Sequence, residues 1–257
     1  MRLVLLGDPV GHSTSPAMHN AALAAVGIEG LYEARRVDAA GVYRACAEIR
    51  SGALHGANVT MPHKRVAAAA ADRLLPLAHR AGAVNTLWAM EGEVVGDNTD
   101  AGALPGVWAA AGLPAGSPVL VLGAGGAAAA VLAALGGARL AIAARRAGAG
   151  AALAGRLGIE AEEVPWGDPL PGAVVVNSTP LGREGESLPA GVVEESAGLY
   201  DLPCRPGGSP AVLLARGRGL PVADGWDHLV AQGALSFTRW TGLPAPIEVM
   251  RRAATGE

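Results

Sequence analysis

The sequence predicts an α/β protein of two domains, an N-terminal α/β domain followed by a Rossmann-type, doubly wound domain. Three observations predict this. Short apolar runs alternate with Ala- and Leu-rich stretches of helical length along the whole chain, the pattern of strand–helix–strand units. A breaker cluster, Gly112-Leu113-Pro114-Ala115-Gly116-Ser117-Pro118, separates two such series. The first strand after that cluster runs directly into the glycine-rich stretch Gly123-Ala124-Gly125-Gly126-Ala127-Ala128.

The elements follow in order. Arg2–Leu6 is a short apolar strand, and residues 16–26 form a helix with Ser15 as N-cap, Pro16 in the first turn and Gly27 as terminator. Residues 31–37 alternate as a strand does, 39–50 are helical, and 55–59 form a strand leading into Thr60-Met61-Pro62. Lys64 then opens an Ala-rich helix. Residues 84–90 and 93–95 form a hairpin around Glu91-Gly92, and Thr99 or Asp100 caps a helix reaching about Ala111. In the second half, the apolar run 119–122 fits a buried parallel strand, with further strands at 140–143, 174–177, 199–201 and 221–222. Helices at 226–242 and 247–254 close the chain. The first domain is assigned residues 1–102 and is completed by the C-terminal helices at 238–257; the second is assigned 103–237.

Composition narrows the functional classes. Hydrophobic residues make up 51% and charged residues 17% of the 257, enough for two cores and unlike a disordered chain. The formal charge of −3 and scattered arginines argue against nucleic acid. No apolar run approaches membrane-spanning length, and the start reads as a strand, not a signal peptide. Cys46 and Cys204 are far apart and make neither a metal cluster nor a disulfide framework. His12 and His19 match no metal spacing and are read as structural, so no metal is expected. The expected setting is a reducing cytoplasm.

Lys64 is the single lysine among 20 basic residues, and Gln232 the single glutamine. A chain that otherwise uses arginine keeps lysine where a titratable amine is needed, which guanidinium cannot supply. The glycine stretch matches G-x-G-x-x-G/A behind a buried strand. Gly123 makes the turn, while Gly125 and Gly126 let the backbone at Ala124 and Ala127 approach a pyrophosphate on the helix N-terminus. About 20 residues on, a 2′-hydroxyl-binding enzyme carries an acid. Here stand Ala143-Ala144-Arg145-Arg146, and two guanidiniums suit a 2′-phosphate. The cofactor expected is NADP. Near the N-terminus, Ser13, Thr14 and Ser15 place hydroxyls before a helix, a good site for a carboxylate.

Several segments occur together and in order: Gly56-Ala57-Asn58-Val59-Thr60-Met61-Pro62-His63-Lys64, Gly82–Thr86, Gly96–Asp100, the glycine loop, Asn177-Ser178-Thr179-Pro180-Leu181-Gly182, and Gly225…Gln232…Trp240-Thr241-Gly242. With them the chain resembles the shikimate dehydrogenases over nearly its whole length. The resemblance implies that Lys64 and Asp100 form the catalytic pair and that Ser13 and Ser15 bind the substrate carboxylate. It also implies that Asn58, Thr60, Asn85 and Gln232 hold ring hydroxyls, and that Thr179 and Gly225 join the NADP site. The expected partner is a small carboxylated carbocycle, shikimate or 3-dehydroshikimate, and the chain is expected to be a monomer or homodimer.

Three positions depart from the family pattern. Arg145-Arg146 follow Ala144 where the family has Asn-Arg-Thr. Cys204 stands where it has Tyr, and His228 where it has Met. These leave a quinate or amino-analogue dehydrogenase of the same family open, and, from another class, a non-catalytic NADP-sensing module. A sensor has no need of an acid–base pair.

Overall fold

The computed structural model describes residues 1–256. By internal contacts the chain divides into two units. The first joins Met1–Gly102 to the segment from Val230 onward, and the second is Ala103–Leu229. The C-terminal division thus falls at 229/230, inside a helix, where the sequence reading placed it at 237/238.

The first unit contains β1 (Arg2–Gly7), α1 (Ser15–Ala25), β2 (Leu31–Arg36), α2 (Ala39–Arg50), β3 (Gly56–Val59), α3 (Lys64–Ala70), β4 (Arg73–Leu74), α4 (Pro76–Ala81), β5 (Thr86–Met90), β6 (Glu93–Asp97) and the start of α5 (Thr99–Ala110). Its sheet runs β2-β1-β3-β5-β6-β4. β1 is parallel to β2 and β3, whereas β5 is antiparallel to both β3 and β6. The β5–β6 hairpin turns on Glu91 and Gly92, both at positive φ (55° and 83°), as a two-residue turn matched to strand twist requires. One face of the sheet buries Val4, Leu6, Val59, Leu87 and Val94 against Val42, Cys46 and Ile49 of α2. Asp38 caps α2, its carboxylate accepting from Gly41 N at 2.8 Å.

The second unit carries β7 (Val119–Leu122), α6 (Gly126–Ala134), β8 (Leu140–Ala143), α7 (Ala149–Leu157), β9 (Glu162–Glu163), β10 (Val174–Asn177), β11 (Gly198–Asp201), α8 (Pro210–Gly217), β12 (Val222–Ala223) and the start of α9 (Gly225–Thr241). Its sheet, β12-β11-β10-β7-β8-β9, is parallel throughout. All four residues of β7, of β8, of β10 and of β11 are buried, as in a sheet covered on both faces. The order reverses between β7 and β10, and the carboxyl ends of strands at such a reversal are where doubly wound sheets commonly bind ligands.

α9 and α10 (Ile247–Thr255) return to the first unit. α10 packs on α1, and α9 comes so close to α1 that a Cβ on Gly233 would collide with Met18. The Trp240 indole lies against Gly56 and donates from Nε1 to Leu87 O at 3.1 Å. Any side chain at position 56 would displace that ring. The segments at 73–74, 76–81 and 162–163 carry too few residues for a periodicity and were not expected from the sequence.

Two capping expectations are corrected. Ser15 is the first residue of α1, not its cap, and it is the Ser13 hydroxyl that accepts from Ser15 N at 3.2 Å. Neither Thr99 nor Asp100 caps α5; Asn98 Oδ1 accepts from Ala101 N at 3.0 Å, which leaves the Asp100 side chain for another partner.

Candidate active site

The topology of the first sheet gathers the polar residues at one edge. β1 and β3 are parallel, with Leu6 opposite Val59, so the loops leaving their carboxyl ends start side by side. Asp8 N donates to Met61 O at 3.1 Å between those loops. They carry Ser13, Ser15, Thr60 and Lys64. β5 is antiparallel to β3, which puts its beginning at this edge, with Asn58 opposite Thr86. β6 is antiparallel again and ends here, with Thr86 opposite Asp97, before Asn98-Thr99-Asp100. Asn58, Asn85 and Asp100 are therefore neighbours because strand direction alternates, although 42 positions separate the first from the last.

Lys64 opens α3 and Asp100 lies in the first turn of α5. A cation at a helix start opposes the helix dipole, whereas an acid there is favoured; the pair resolves the conflict. Lys64 Nζ donates to Asp100 Oδ2 at 2.6 Å, and the two side chains are 18% and 16% exposed. Such a pair is shielded enough to be held in one geometry and open enough to meet a solute. The carboxylate orients an ammonium that can give up a proton.

Beside this pair lies a buried polar network. Asn85 Oδ1 accepts from Thr99 N at 2.7 Å, and Asn85 Nδ2 reaches Thr99 Oγ1 at 3.0 Å and Gln232 Oε1 at 3.4 Å. Asn58 donates from Nδ2 to Asn85 O (2.9 Å), Thr86 Oγ1 (3.1 Å) and Ser236 Oγ (3.1 Å), while its Oδ1 accepts from the Tyr32 hydroxyl at 2.8 Å. Asp97 holds α9 through Arg239 Nε, at 3.1 Å. Tyr32, Thr86, Ser236 and Arg239 were not singled out from the sequence, and Thr99 only as a helix cap. The one available signal was spacing: Ser236 stands four residues after Gln232, on the same helical face. Tyr32 also stacks on His19 at 4.5 Å. The His19 ring is fully buried, and burial pushes its pKa down to about 3, so it is neutral.

In the second unit, Gly123 has φ +110°, and a Cβ there would lie 2.8 Å from Ser178 Oγ. The carboxyl ends of β7 and β10 meet at this glycine. Gly125 precedes α6, no side chain caps that helix, and the space over Gly125 is open. Amides left uncapped at the start of a helix beneath open space fit a pyrophosphate. Ala124, Gly126 and Ala127 complete the turn, and Arg145 and Arg146 are exposed just beyond β8. The Thr179 hydroxyl is engaged locally, donating to Asn177 Oδ1 at 2.7 Å. Gly225 has a packing reason: a Cβ would collide with Pro203 O. Cys204 is half-buried, with its thiol pushed up to about 12 by desolvation, so it is not a thiolate at neutral pH. His228 Nδ1 lies 2.8 Å from the Tyr200 hydroxyl. Among the described residues no group of three or more His, Cys, Asp or Glu could hold a metal, and no helix is long and apolar enough to cross a membrane.

Comparison with known proteins settles the family. Residues 5–87 match the profile of the shikimate dehydrogenase substrate binding domain, and residues 225–255 that of the shikimate 5′-dehydrogenase C-terminal domain. A shikimate dehydrogenase (NADP(+)) from one strain of Thermus thermophilus is 40% identical over 262 residues, covering 100% of this chain and 99% of the relative. The chain belongs to the shikimate dehydrogenase family. A second member, from Symbiobacterium thermophilum, is 40% identical over 272 residues, covering 98% of this chain and 92% of its own. Among solved shikimate dehydrogenases, the enzyme from another strain of Thermus thermophilus, in complex with NADP(H) and shikimate, superposes with a TM-score of 0.88 at 38% identity. That match covers 99% of this chain and 98% of the other.

Proposed function

We propose that this chain is an NADP-dependent shikimate dehydrogenase acting reversibly between 3-dehydroshikimate and shikimate, as a cytoplasmic enzyme. The observation that carries the reading is the 2.6 Å Lys64–Asp100 pair, set beside amide and hydroxyl groups suited to a polyhydroxylated ring. Residues 1–102 with the returning C-terminal helices take the substrate, and the intervening parallel sheet takes NADP.

NADPH, when bound, supplies the hydride that converts the ring ketone to an alcohol. The chain supplies the rest. Lys64 Nζ holds the proton that passes to the nascent alkoxide oxygen, and Asp100 keeps the ammonium aimed and compensates its charge. Ser13 and Ser15 hold the substrate carboxylate. Thr60, Asn85 and Gln232 orient ring hydroxyls, with Asn58 behind them. Gly123, Gly125 and Gly126 admit the cofactor pyrophosphate, and Arg145 and Arg146 grip its 2′-phosphate.

Absorbance of NADPH during turnover tests the reading. Oxidation of shikimate with NADP⁺, well ahead of quinate and well ahead of the same reaction with NAD⁺, is the expected result. Preference for quinate would move the chain elsewhere in its family, and binding of NADP without turnover on any of these would make it a sensor.

A further inference from the structure

We infer that Asp201 is a positioning residue which, through the Asn177 side chain, holds the turn at 178–181 in place for the nicotinamide half of the cofactor. The inference deepens the reading above and rests on it. Its starting point is a carboxylate that no step of the proposed reaction uses. Asp201 ends β11 with no exposed surface, and burial pushes its pKa up from the ordinary carboxylate value. Two donors converge on it: Asn177 Nδ2 on Oδ1 at 2.7 Å, and the Ser209 hydroxyl on Oδ2 at 2.5 Å. Both oxygens serve as acceptors, and an ionised carboxylate only accepts. An asparagine at 201 would turn its amino group toward one of the two donors.

Asn177, at the end of the neighbouring strand β10 and equally buried, passes this anchorage on. Its Oδ1 accepts from Thr179 N at 3.1 Å and from the Thr179 hydroxyl at 2.7 Å, and its Nδ2 donates to Leu181 O at 2.9 Å. The Thr179 hydroxyl in turn accepts from Leu181 N at 3.2 Å. The turn is thus wrapped round one amide. Thr179 N and Leu181 O set which way that amide faces, and Asp201 adds a fixed place for it. The far end of the turn rests on the same anchor, since a Cβ on Gly182 would lie 2.9 Å from Ser209 Cβ.

Strand order aims the turn at one part of the cofactor. A Cβ on Gly123 would lie 2.8 Å from Ser178 Oγ and 3.1 Å from Thr179 Cγ2, so the turn borders the glycine loop. β7 stands between β8 and β10. A cofactor with its 2′-phosphate at Arg145 and Arg146, beyond β8, and its pyrophosphate at the glycine loop, after β7, extends its nicotinamide half toward β10. The polyanionic half is then held on the side away from Asp201.

Calorimetric titration of the full chain with two ligands is the test. NADP⁺ carries the nicotinamide riboside, and 2′-phosphoadenosine 5′-diphosphate carries the polyanionic half without it. Asp201→Asn should weaken NADP⁺ binding about two- to tenfold, the scale of one ordinary hydrogen bond, and leave binding of the fragment unchanged. In an Asn177→Ala background the same substitution should cost NADP⁺ nothing further, because the group it positions is gone. Unchanged NADP⁺ affinity in Asp201→Asn, equal weakening of both ligands, or additive losses would overturn the inference. Hydrogen exchange of the wild type decides the matter if the variants do not fold. NADP⁺ should slow exchange at the amides of Thr179 and Leu181 more than the fragment does, and equal exchange with the two ligands overturns the inference. A wild-type chain that binds neither ligand overturns the functional reading itself, and a wild type that binds both, with Asp201→Asn unchanged, overturns only the inference.

Discussion

The two units offer their polar groups in opposite ways. In the first, the groups around Lys64 are side chains, buried and bonded to one another: Asn58, Asn85, Thr86, Thr99 and Ser236 are all among the buried residues. In the second, the groups suited to a cofactor are backbone amides beside glycines and two exposed arginines. Under the function proposed above, the difference suits what each unit would have to accomplish. A site that moves a proton must hold atoms to a fraction of an ångström, and only a fully satisfied network does that. A site that holds a polyanion needs charge and room, which a glycine turn and two guanidiniums supply with little dependence on the rest of the core.

The contrast can be broken most directly at Lys64. Lys64→Met should lower kcat by about 10²–10⁴-fold while NADP binding persists, the usual contribution of a general acid. Lys64→Arg should be nearly as impaired, because guanidinium keeps its proton. An Arg variant within about threefold of wild type would mean that the lysine acts only as a charge, and the two units would then differ less than their geometry says.

The next effect concerns the interior of the first unit. In the unfolded chain His19 titrates near 6.5, and in the fold near 3. Between those values the unfolded state binds a proton that the folded state refuses, so stability falls as pH drops below about 6.5 and is flat above it on this account. From pH 7 to pH 5 the wild type should lose about 2 kcal/mol more than His19→Phe, measured by denaturant unfolding. Parallel curves for the two proteins would show that His19 is reached by solvent or is paired.

The smallest effect belongs to the second unit. Changing Arg145 and Arg146 together to Ala should weaken NADP binding by about tenfold or more and leave NAD binding and melting temperature nearly unchanged. Calorimetric titration with each cofactor reads both. Unaltered NADP affinity would leave the arginines as a solvated strand end.

Much of the fold was legible because its signals are local. The buried run 119–122 and the glycine turn behind it announce the second sheet, and Glu91-Gly92 announces a hairpin. The family's ordered segments brought Lys64 and Asp100 together on paper, and a 2.6 Å ion pair joins them. What stayed hidden was long-range. Nothing in residues 225–241 says that Ser236 meets Asn58 across 178 positions of chain, and nothing near Asn58 says that its amide is used up internally. That Thr14 stands at the N-cap of α1 with no side-chain bond, and that Asn98 accepts from Ala101 N at the start of α5, also escaped, because serine, threonine and asparagine stand at adjacent positions and each can cap. Only the backbone path decides which of them does.

The first unit is discontinuous, and this bears on how the molecule is made. Ser236, Gln232, Arg239 and Trp240 leave the ribosome only after all of Ala103–Leu229. Until then Asn58, Thr86 and Thr99 lack partners that satisfy them in the finished protein, and polar groups left unmatched in an interior are costly. The N-terminal hundred residues should therefore stay loosely closed during synthesis, while the inserted parallel sheet, which is continuous in sequence, can mature first. The polar network of Asn58, Thr86 and Thr99 is thus completed only after the second unit has been made, although Lys64 and Asp100 are both in place before it.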